Sequence, residues 1–308
     1  MNDITDREIM ISNLRYVRKC EATLQELRTL AVYEFTLPAP PTPPSSLSLR
    51  ELARFWRRQI RSVNDFDTYS RVALCRRLFL EYAAAGVNWC QLLFPEQTHS
   101  LSPEQATYSS DPEHESELNS IKNAQSLLSY VQNPYSDEAL LRLCGTVPQV
   151  HACRSFSELS DDISNGISDS CVIPIENTSD GKLMSFYSII DRLELKIIRT
   201  CDIESSDGSQ ATRYALLARN PSCPKSGGEY YLEFSMTTDG HSLSDLLSAA
   251  SRMNLCISRI DSVPQRYDES ILIHYPVLRG QCEDLLCFML YIELERSDCT
   301  LLGMYNNV

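Results

Sequence analysis

The sequence has no apolar run as long as the roughly 18 residues that a membrane-spanning helix requires. Its first ten residues, MNDITDREIM, lack the positively charged and then apolar pattern of a secretory signal peptide. Basic side chains number 28 against 41 acidic ones, which gives a formal net charge of −13. This shortage of positive charge argues against nucleic acid and against anionic membrane surfaces as partners. We therefore expect a cytoplasmic protein.

Paired cysteines are also missing, because the twelve cysteines stand singly and none forms a Cys-x-x-Cys pair. Structural zinc sites normally need clustered ligands. His114, His151 and His274 likewise have no partner at a metal-binding or catalytic spacing. We therefore predict no metal site and no cofactor, and we expect the cysteines to be reduced and to fill core positions as small apolar residues.

A hydrophobic content of 43% over 308 residues is enough for two or three folded domains. Helical spacing of apolar residues predicts three helices before residue 93, and a proline-rich stretch, LPAPPTPPSS, interrupts them because proline cannot continue a helix. Composition then divides the chain into a helical region (1–95), a polar linker (96–121), an α/β lobe (122–220) and a C-terminal α+β unit (228–308).

In the segment 122–220 strands alternate with helices, which predicts a parallel, doubly wound sheet. We expect Ser136 to cap one helix that Gly145 ends, and Ser155 with Glu158 to form a capping box for the next. A polar cluster, Glu176 to Asp180, directly follows an apolar strand. Ligands of such sheets bind at the carboxyl ends of strands, so the cluster is either a binding site or a plain turn.

The last 80 residues predict the order β-α-β-β-α-β, the ferredoxin-like split arrangement. Its one ambiguous segment runs from Cys282 to Ile292, where a buried strand also fits, but the 3, 4, 7 spacing of apolar residues favours a helix. Small sheets of this kind expose edges that a partner commonly covers. Because ILIHY and YYLEF are apolar enough to need such cover, we expect a homodimer.

Six segments, in this order, resemble the motifs of the prephenate dehydratase family with its C-terminal ACT regulatory domain. They are PYSDEAL, CRSFSEL, VIPIENTSDG, ATRYALLAR, SRIDSVPQR and LLGMYNNV. The resemblance covers the chain from about residue 124 to its end. It implies one α/β lobe of the periplasmic-binding-protein-like type, followed by an ACT domain. Only a short run separates Ile198 from Thr212, where the family has a second lobe, so we expect that lobe to be missing.

The resemblance also implies an activity: conversion of prephenate to phenylpyruvate, water and carbon dioxide, a carbon–oxygen lyase step of phenylalanine biosynthesis. Thr212 would assist the departing hydroxyl, and Arg213 would contribute charge to the pocket. The implied substrate-binding residues are Ser136, Glu176, Asn177, Thr178 and Ser179. The implied ACT-ligand residues are His241, Ser242, Leu243, Asp261, Ser262 and Pro264. The N-terminal helices stand where bifunctional relatives have a chorismate mutase domain.

Other interpretations of the same residues stay open. Thr212 and Arg213 also fit ordinary strand positions, and Asp261 and Pro264 fit structural roles. A histidine at 241 and a valine at 263 stand where the family motifs have glycine and arginine, which predicts weak or absent phenylalanine binding. The second function hypothesis is therefore a non-catalytic binding or regulatory protein derived from this family, with prephenate or an aromatic amino acid as its ligand.

Overall fold

The structure is a computed structural model that describes residues 48–61, 68–94, 127–145, 149–220, 224, 228–238, 241–265, 268–296 and 298–308. The first of the three predicted helices, the proline-rich stretch and the polar linker lie outside the described residues. The chain divides between Val87 and Asn88 into two compact units. In the part of the chain that is described, no helix is both long and apolar enough to cross a membrane.

The first unit contains two of the predicted helices, α1 (Leu49–Arg61) and α2 (Thr68–Ala84). Ser48 and Glu51 start α1 as a capping box. The Ser48 Oγ accepts from the Glu51 backbone N–H at 3.3 Å, and the Glu51 carboxylate accepts from the Ser48 N–H at 3.2 Å. Two N–H groups that the helix leaves unpaired are satisfied in this way. The unit buries Leu52, Trp56, Val72, Leu74, Leu78, Phe79 and Tyr82.

The second unit alternates strands and helices before residue 220 and repeats a split pattern after it. Its helices are α3 (Trp89–Leu93), α4 (Pro134–Cys144), α5 (Phe156–Ser164), α6 (Met184–Arg192), α7 (His241–Arg252) and α8 (Cys282–Glu295). Its strands are β1 (Leu128–Val131), β2 (Val150–Cys153), β3 (Ser170–Asn177), β4 (Gly181–Lys182), β5 (Lys196–Glu204), β6 (Ala211–Ala218), β7 (Glu229–Thr238), β8 (Cys256–Gln265), β9 (Asp268–Gln281) and β10 (Cys299–Asn307).

All ten strands form one sheet, in the order β2-β1-β3-β6-β5-β10-β7-β9-β8, with β4 paired to β3. Strand β1 is parallel to β2 and β3, whereas β6 is antiparallel to both β3 and β5. The prediction of a parallel lobe is therefore wrong for β6, whereas β5 runs in the same direction as β1, β2 and β3. Strands β5 and β6 are joined by the turn of residues 205–210, and strands joined by a turn this short must run antiparallel.

The helix ends agree with the sequence patterns at two of three positions. Ser155 Oγ accepts from the Glu158 N–H at 3.2 Å, as the predicted cap requires, and Gly145 ends α4 with a left-handed φ of 68°. Ser136 is not the N-cap of α4. Asn133 takes that role, because its side-chain oxygen accepts from the N–H groups of Tyr135 and Ser136 while Pro134 occupies the first turn.

Strands β7 to β10 have the order β10-β7-β9-β8, and each neighbouring pair among them is antiparallel. The ambiguous segment is helix α8, and Phe288 of α8 lies 6.2 Å from Phe234 between ring centroids. The strands that contain YYLEF and ILIHY, β7 and β9, are interior strands. Our argument that their apolar edges need a partner is therefore wrong, because their neighbours within the chain already pair with them.

The outer edge of β10 is covered by β5, which joins the two halves of the unit into one sheet. The pair is parallel, with Gly303 opposite Ile197 and Asn307 opposite Thr200. The two backbones approach so closely at Gly303 that an added Cβ would lie 2.3 Å from the Ile197 carbonyl oxygen. Glycine is required here by the close approach of the neighbouring strand.

The sheet has two faces with different cover, named here by the helix that packs on each. The α6 face is packed by α5 and α6 and buries Ile173, Ile197 and Ala215. The α4 face is packed by α4 and buries Val172, Cys201 and Leu216. Successive strand residues alternate between these faces along β6, whereas bulges interrupt the alternation in β3 between Pro174 and Glu176 and in β5 between Ile197 and Arg199.

The cysteines follow the sequence expectation in part. Seven of those described are buried, namely Cys75, Cys144, Cys153, Cys171, Cys201, Cys282 and Cys287. Burial fits the predicted role of small core residues. Cys90 departs from the prediction of reduced cysteines, because it is disulfide-bonded.

We expect Gly303→Val to destabilise the second unit by about 1–3 kcal/mol, the usual cost of overpacking. The added side chain has to displace the Ile197 backbone and loosen the β5–β10 pair. Urea unfolding followed by circular dichroism measures this change. Thr300→Val on the same strand is the control, because Thr300 is exposed. Equal stability of the two variants would show that the β5–β10 pairing does not depend on this close approach.

Candidate functional site

A pocket of about 160 Å³ opens on the α6 face, where strands of the two halves meet. Its lining comprises Ile175, Glu176, Tyr187, Thr200, Arg213, Tyr231, Glu233, Ser258, Arg259, Val277, Tyr305 and Asn307. Of the site residues predicted from the sequence, the lining contains Glu176, near the carboxyl end of β3, and Arg213 of β6. Ligand pockets usually have roughly 300–1,000 Å³, so this one suits only a small molecule.

The pocket contains a buried carboxylate, that of Glu233 on β7, whose side chain is 1% exposed. It accepts hydrogen bonds from the hydroxyls of Tyr187 and Tyr305, each at 2.9 Å, and from the ammonium of Lys182. The Lys182 side chain is itself 3% exposed and also donates to the Tyr187 hydroxyl at 2.7 Å. A buried charge is tolerated when it is paired and hydrogen-bonded in this way.

A second charged network forms the rim of the pocket around Glu176 of β3. Arg213 holds Asp202 with two hydrogen bonds, at 2.8 and 3.1 Å, and reaches Glu176 at 3.4 Å. The other oxygen of Glu176 accepts from Arg259 of β8. Arg259 also lies 2.7 Å from the Asp261 carboxylate. Glu176 therefore ties the α/β half to the C-terminal half.

Burial and neighbouring charges shift the pKa values of Arg259, Tyr187 and Tyr305 in the pocket. Burial disfavours the charged form of Arg259, but its hydrogen bond to Glu176 and the nearby carboxylates outweigh burial and raise the pKa of the guanidinium. Burial, reinforced by the Glu233 charge, raises the pKa values of Tyr187 and Tyr305 well above 10. Both tyrosines thus remain neutral hydrogen-bond donors at ordinary pH.

The two networks together contain three cationic side chains, Lys182, Arg213 and Arg259, and four anionic ones, Glu176, Asp202, Glu233 and Asp261. Each cation is already bound by at least one carboxylate of this chain. The formal charge of the two networks together is therefore −1, whereas the four charged residues that line the pocket itself, Glu176, Arg213, Glu233 and Arg259, sum to zero. A dianionic ligand would find no excess positive charge there and would have to break existing ion pairs to bind the arginines.

Thr212 and Arg213, the predicted catalytic pair, point to opposite faces of the sheet. Arg213 reaches the pocket on the α6 face, whereas Tyr214 is buried on the α4 face. Because side chains alternate along a strand, Thr212 shares the α4 face with Tyr214. Its cross-strand partner Ile203 is buried on that face as well. The two residues cannot contact the same small ligand in the pocket.

The predicted polar cluster, Glu176 to Asp180, also separates into a residue that lines the pocket and residues that do not. Only Glu176 lines the pocket, whereas the residues after it build the turn between β3 and β4. The Asn177 side chain accepts from the N–H groups of Ser179 and Asp180 at 3.0 and 2.5 Å, and Thr178 Oγ1 accepts from the Ala211 N–H at 3.2 Å. Asn and Asp side chains commonly stabilise turns by bonds of this kind.

Ser136, predicted to bind substrate, is buried in the first turn of α4. Its hydroxyl accepts a hydrogen bond from the Asn133 side-chain amide at 2.7 Å. This bond holds the start of the helix together. In the described part of the chain, the pocket on the α6 face does not include Ser136.

The residues predicted to hold an ACT ligand come from two segments that lie at one end of the sheet. Thr238, just before His241 at the start of α7, and Pro264 of β8 both pair with Leu272 of β9. Within this group Asp261 faces Arg259 and Lys182, at 2.7 and 3.7 Å. Ser262 instead hydrogen-bonds the buried His274 at 2.7 Å between Oγ and Nδ1. Asp261 and Ser262 therefore already have partners within the chain.

One group of potential metal ligands among the described residues lies away from the pocket, on β2 and α5. His151, Cys153 and Asp162 place one ligand atom each within 4.8 Å of the others. The group contains no Cys-x-x-Cys pair, the pattern on which the prediction of no metal site depended. The available signal was His-x-Cys, which places both side chains on one face of a strand. For Glu233, the corresponding signal is a lone charge in the apolar strand YYLEFSM.

We expect Glu233→Ala to destabilise the second unit by about 3–5 kcal/mol, because the buried Lys182 would lose its hydrogen-bonded partner and keep only the more distant Asp261, at 3.7 Å, as a counter-charge. Removing both charges, in Glu233→Ala with Lys182→Met, should restore part of this loss. Urea unfolding of the two single variants and the double variant measures the coupling as a double-mutant cycle. Additive effects of the two substitutions would contradict the buried pair. Glu229→Ala on the same strand is the control, since Glu229 is partly exposed.

The raised pKa values of Tyr187 and Tyr305 predict a loss of stability in alkali. Both groups ionise near pH 10 in the unfolded chain but stay protonated in the folded one. Their contribution is complete below pH 10 and falls above it, by about 1.4 kcal/mol per pH unit for each tyrosine. Unfolding free energies measured from pH 8 to 11 test this. The slope should be smaller in Tyr305→Phe, and an unchanged slope would remove Tyr305 from the explanation.

Comparison with protein families places one match on this unit. Residues 131–205 match the family model described as prephenate dehydratase. The matched segment runs from the end of β1 through β5, so it includes Glu176 and Asp202 but neither Thr212 nor Arg213. No curated protein matches the chain in a sequence comparison.

Several solved structures resemble this one at low identity. The prephenate dehydratase from Streptococcus mutans is 14% identical, with a TM-score of 0.49, over 59% of this chain and 98% of its own. The prephenate dehydratase from Arthrobacter aurescens, in complex with L-Phe, is 13% identical, with a TM-score of 0.46, over 58% and 89%. GqqA, described as a novel type of quorum quenching acylase, is 17% identical, with a TM-score of 0.48, over 58% and 94%. On the match to the family model, residues 131–205 are a prephenate dehydratase-like segment within a mixed α/β unit.

Proposed function

We propose that this chain is a prephenate dehydratase-like protein of phenylalanine biosynthesis that binds a small ligand without dehydrating prephenate. The observation that carries this proposal is the separation of the predicted catalytic pair. Thr212 lies on the α4 face, whereas Arg213 lies on the α6 face and is held by two hydrogen bonds to Asp202. A proton donor acts only within hydrogen-bond reach of the leaving oxygen, so the pair cannot perform one reaction on one substrate.

The charge of the pocket supports the same function. Prephenate carries two carboxylates, whereas the charged residues that line the pocket sum to zero and its arginines are already bound by carboxylates of the chain. A ligand with no net charge does not require excess positive charge in the pocket. An aromatic amino acid fits that description, since its ammonium suits Glu176 and its ring suits the pocket walls of Tyr231 and Val277. We propose such an amino acid as the ligand.

The absence of a second lobe over the pocket, between β5 and β6, supports ligand binding rather than dehydration. The chain between β5 and β6 is the turn of residues 205–210, where a second lobe would have to stand to close a cleft. Dehydration of prephenate requires a site from which water is excluded. We further propose that residues 228–308 form an ACT-type domain, with a homodimer formed through its outer strand β8, because β8 is the edge strand of the sheet at that end.

The experiment that tests this function is a prephenate assay on the purified full chain, with phenylpyruvate absorbance as the readout. We expect no conversion above the uncatalysed rate. The second candidate function is the dehydratase itself, and the match of residues 131–205 favours it. Enzymatic conversion that falls about a hundredfold or more in Thr212→Ala would establish that candidate and refute our proposal.

Ligand binding is measured on the same preparation. Phenylalanine should raise the melting temperature of the full chain, because a ligand that binds only the folded state stabilises it. Tyr231→Ala should abolish the shift, since Tyr231 lines the pocket and stacks on Tyr305 at 5.8 Å between ring centroids. Ser262→Ala is the matched control, because Ser262 is bonded to His274 outside the pocket lining. Loss of the shift in Ser262→Ala alone would move the ligand from the pocket to the sheet end.

A further inference from the structure

We propose that His151, Cys153 and Asp162 form a site for a single zinc ion, independent of the pocket on the α6 face. Two of the three ligands are two residues apart on β2, so they project from the same face of that strand. The third comes from α5, which packs over β1 and β2. The imidazole, thiolate and carboxylate of these residues are the side-chain types that bind zinc in proteins.

The distances between the three ligand atoms are close to those of a tetrahedral zinc centre. Standard zinc bond lengths place sulfur about 3.5 Å from nitrogen and oxygen, and nitrogen about 3.3 Å from oxygen. Here Cys153 Sγ lies 3.9 Å from His151 Nδ1 and 3.3 Å from Asp162 Oδ2. His151 Nδ1 lies 2.5 Å from Asp162 Oδ2, so this contact has to open by less than 1 Å. The His151 side chain is 42% exposed and has room to move.

Charge and surroundings also suit a divalent cation. A thiolate and a carboxylate together balance the two charges of zinc, whereas the neutral imidazole leaves that balance unchanged. Asp162 is buried and additionally accepts from the Ser129 hydroxyl at 3.0 Å, which in turn contacts the Ser168 hydroxyl at 2.7 Å. Outer hydrogen bonds of this kind orient metal-binding carboxylates. The partly exposed side of His151 leaves a fourth position for water.

A competing interpretation is an ion pair between protonated His151 and Asp162 that fastens α5 to the sheet. This interpretation explains the 2.5 Å contact but assigns no function to the Cys153 thiol, which lies 3.3 Å from the same carboxylate oxygen. The two interpretations differ in their metal dependence. A zinc site binds zinc in a 1:1 ratio and requires all three residues, whereas an ion pair is indifferent to zinc and to the Cys153 side chain.

The test uses the purified full chain, freed of metal with a chelator and titrated with Zn²⁺ against a chromophoric competitor. We expect one tight site, and an affinity weaker by roughly tenfold or more in His151→Gln and in Cys153→Ser. Co²⁺ in place of zinc should give a thiolate-to-cobalt charge-transfer band that is absent from Cys153→Ser. Cys256→Ser is the matched control, because Cys256 is exposed and lies on β8.

Three outcomes would overturn the site. The first is a wild-type chain without tight zinc binding, and the second is equal zinc affinity in the wild type and His151→Gln. The third is a cobalt charge-transfer band that survives in Cys153→Ser. Because His151 is half exposed, His151→Gln should fold even if Cys153→Ser does not, and circular dichroism of both variants establishes this. The zinc titration of His151→Gln then decides the proposal alone.

Discussion

The buried carboxylate of Glu233 takes hydrogen bonds from three separate elements: Lys182 on β4, Tyr187 on α6 and Tyr305 on β10. Glu233 itself belongs to β7 of the C-terminal half. An uncompensated charge at this depth costs several kcal/mol, so the α/β half has to stay docked on the C-terminal strands for the carboxylate to remain satisfied. The parallel pairing of β5 with β10, which requires glycine at 303, depends on the same docking.

The docking has a chemical consequence for the pocket. Lys182, Arg213 and Arg259 would be the natural partners of an anionic ligand, but each is bound by a carboxylate of the chain itself. The Arg259–Glu176 pair crosses between the halves, so releasing Arg259 for a ligand would also weaken their contact. Stability of the unit and affinity for an anion thus compete for the same side chains. This competition favours a ligand without net charge.

Local sequence patterns predicted what local forces determine. The Ser155 cap, the Gly145 stop and the helix at Cys282–Glu295 depend on residues within one or two turns. The β5–β10 pairing depends on strands far apart in sequence, and no local pattern specifies it. The antiparallel β5 and β6 were predictable from their short connection, and so were the opposite faces of Thr212 and Arg213, since alternation along a strand is fixed. Thr212 and Arg213 were assigned to one site from their resemblance to a family motif, and the alternation of side chains along β6 was not applied to them.

The location of the pocket follows from the bulge in β3 between Pro174 and Glu176, together with the short β5–β6 turn. At the end of β3, the Asn177 side chain accepts hydrogen bonds within the turn to β4, whereas Glu176 lines the pocket on the α6 face. The segment between β5 and β6 is only the short turn of residues 205–210, which is too short to cover the ends of the strands. The α6 face is enclosed instead by Tyr187 above and by β7 and β8 beside it, because β10 extends the sheet past β5. The charged side chains of the pocket therefore lie on the α6 face of the sheet, where its two halves meet.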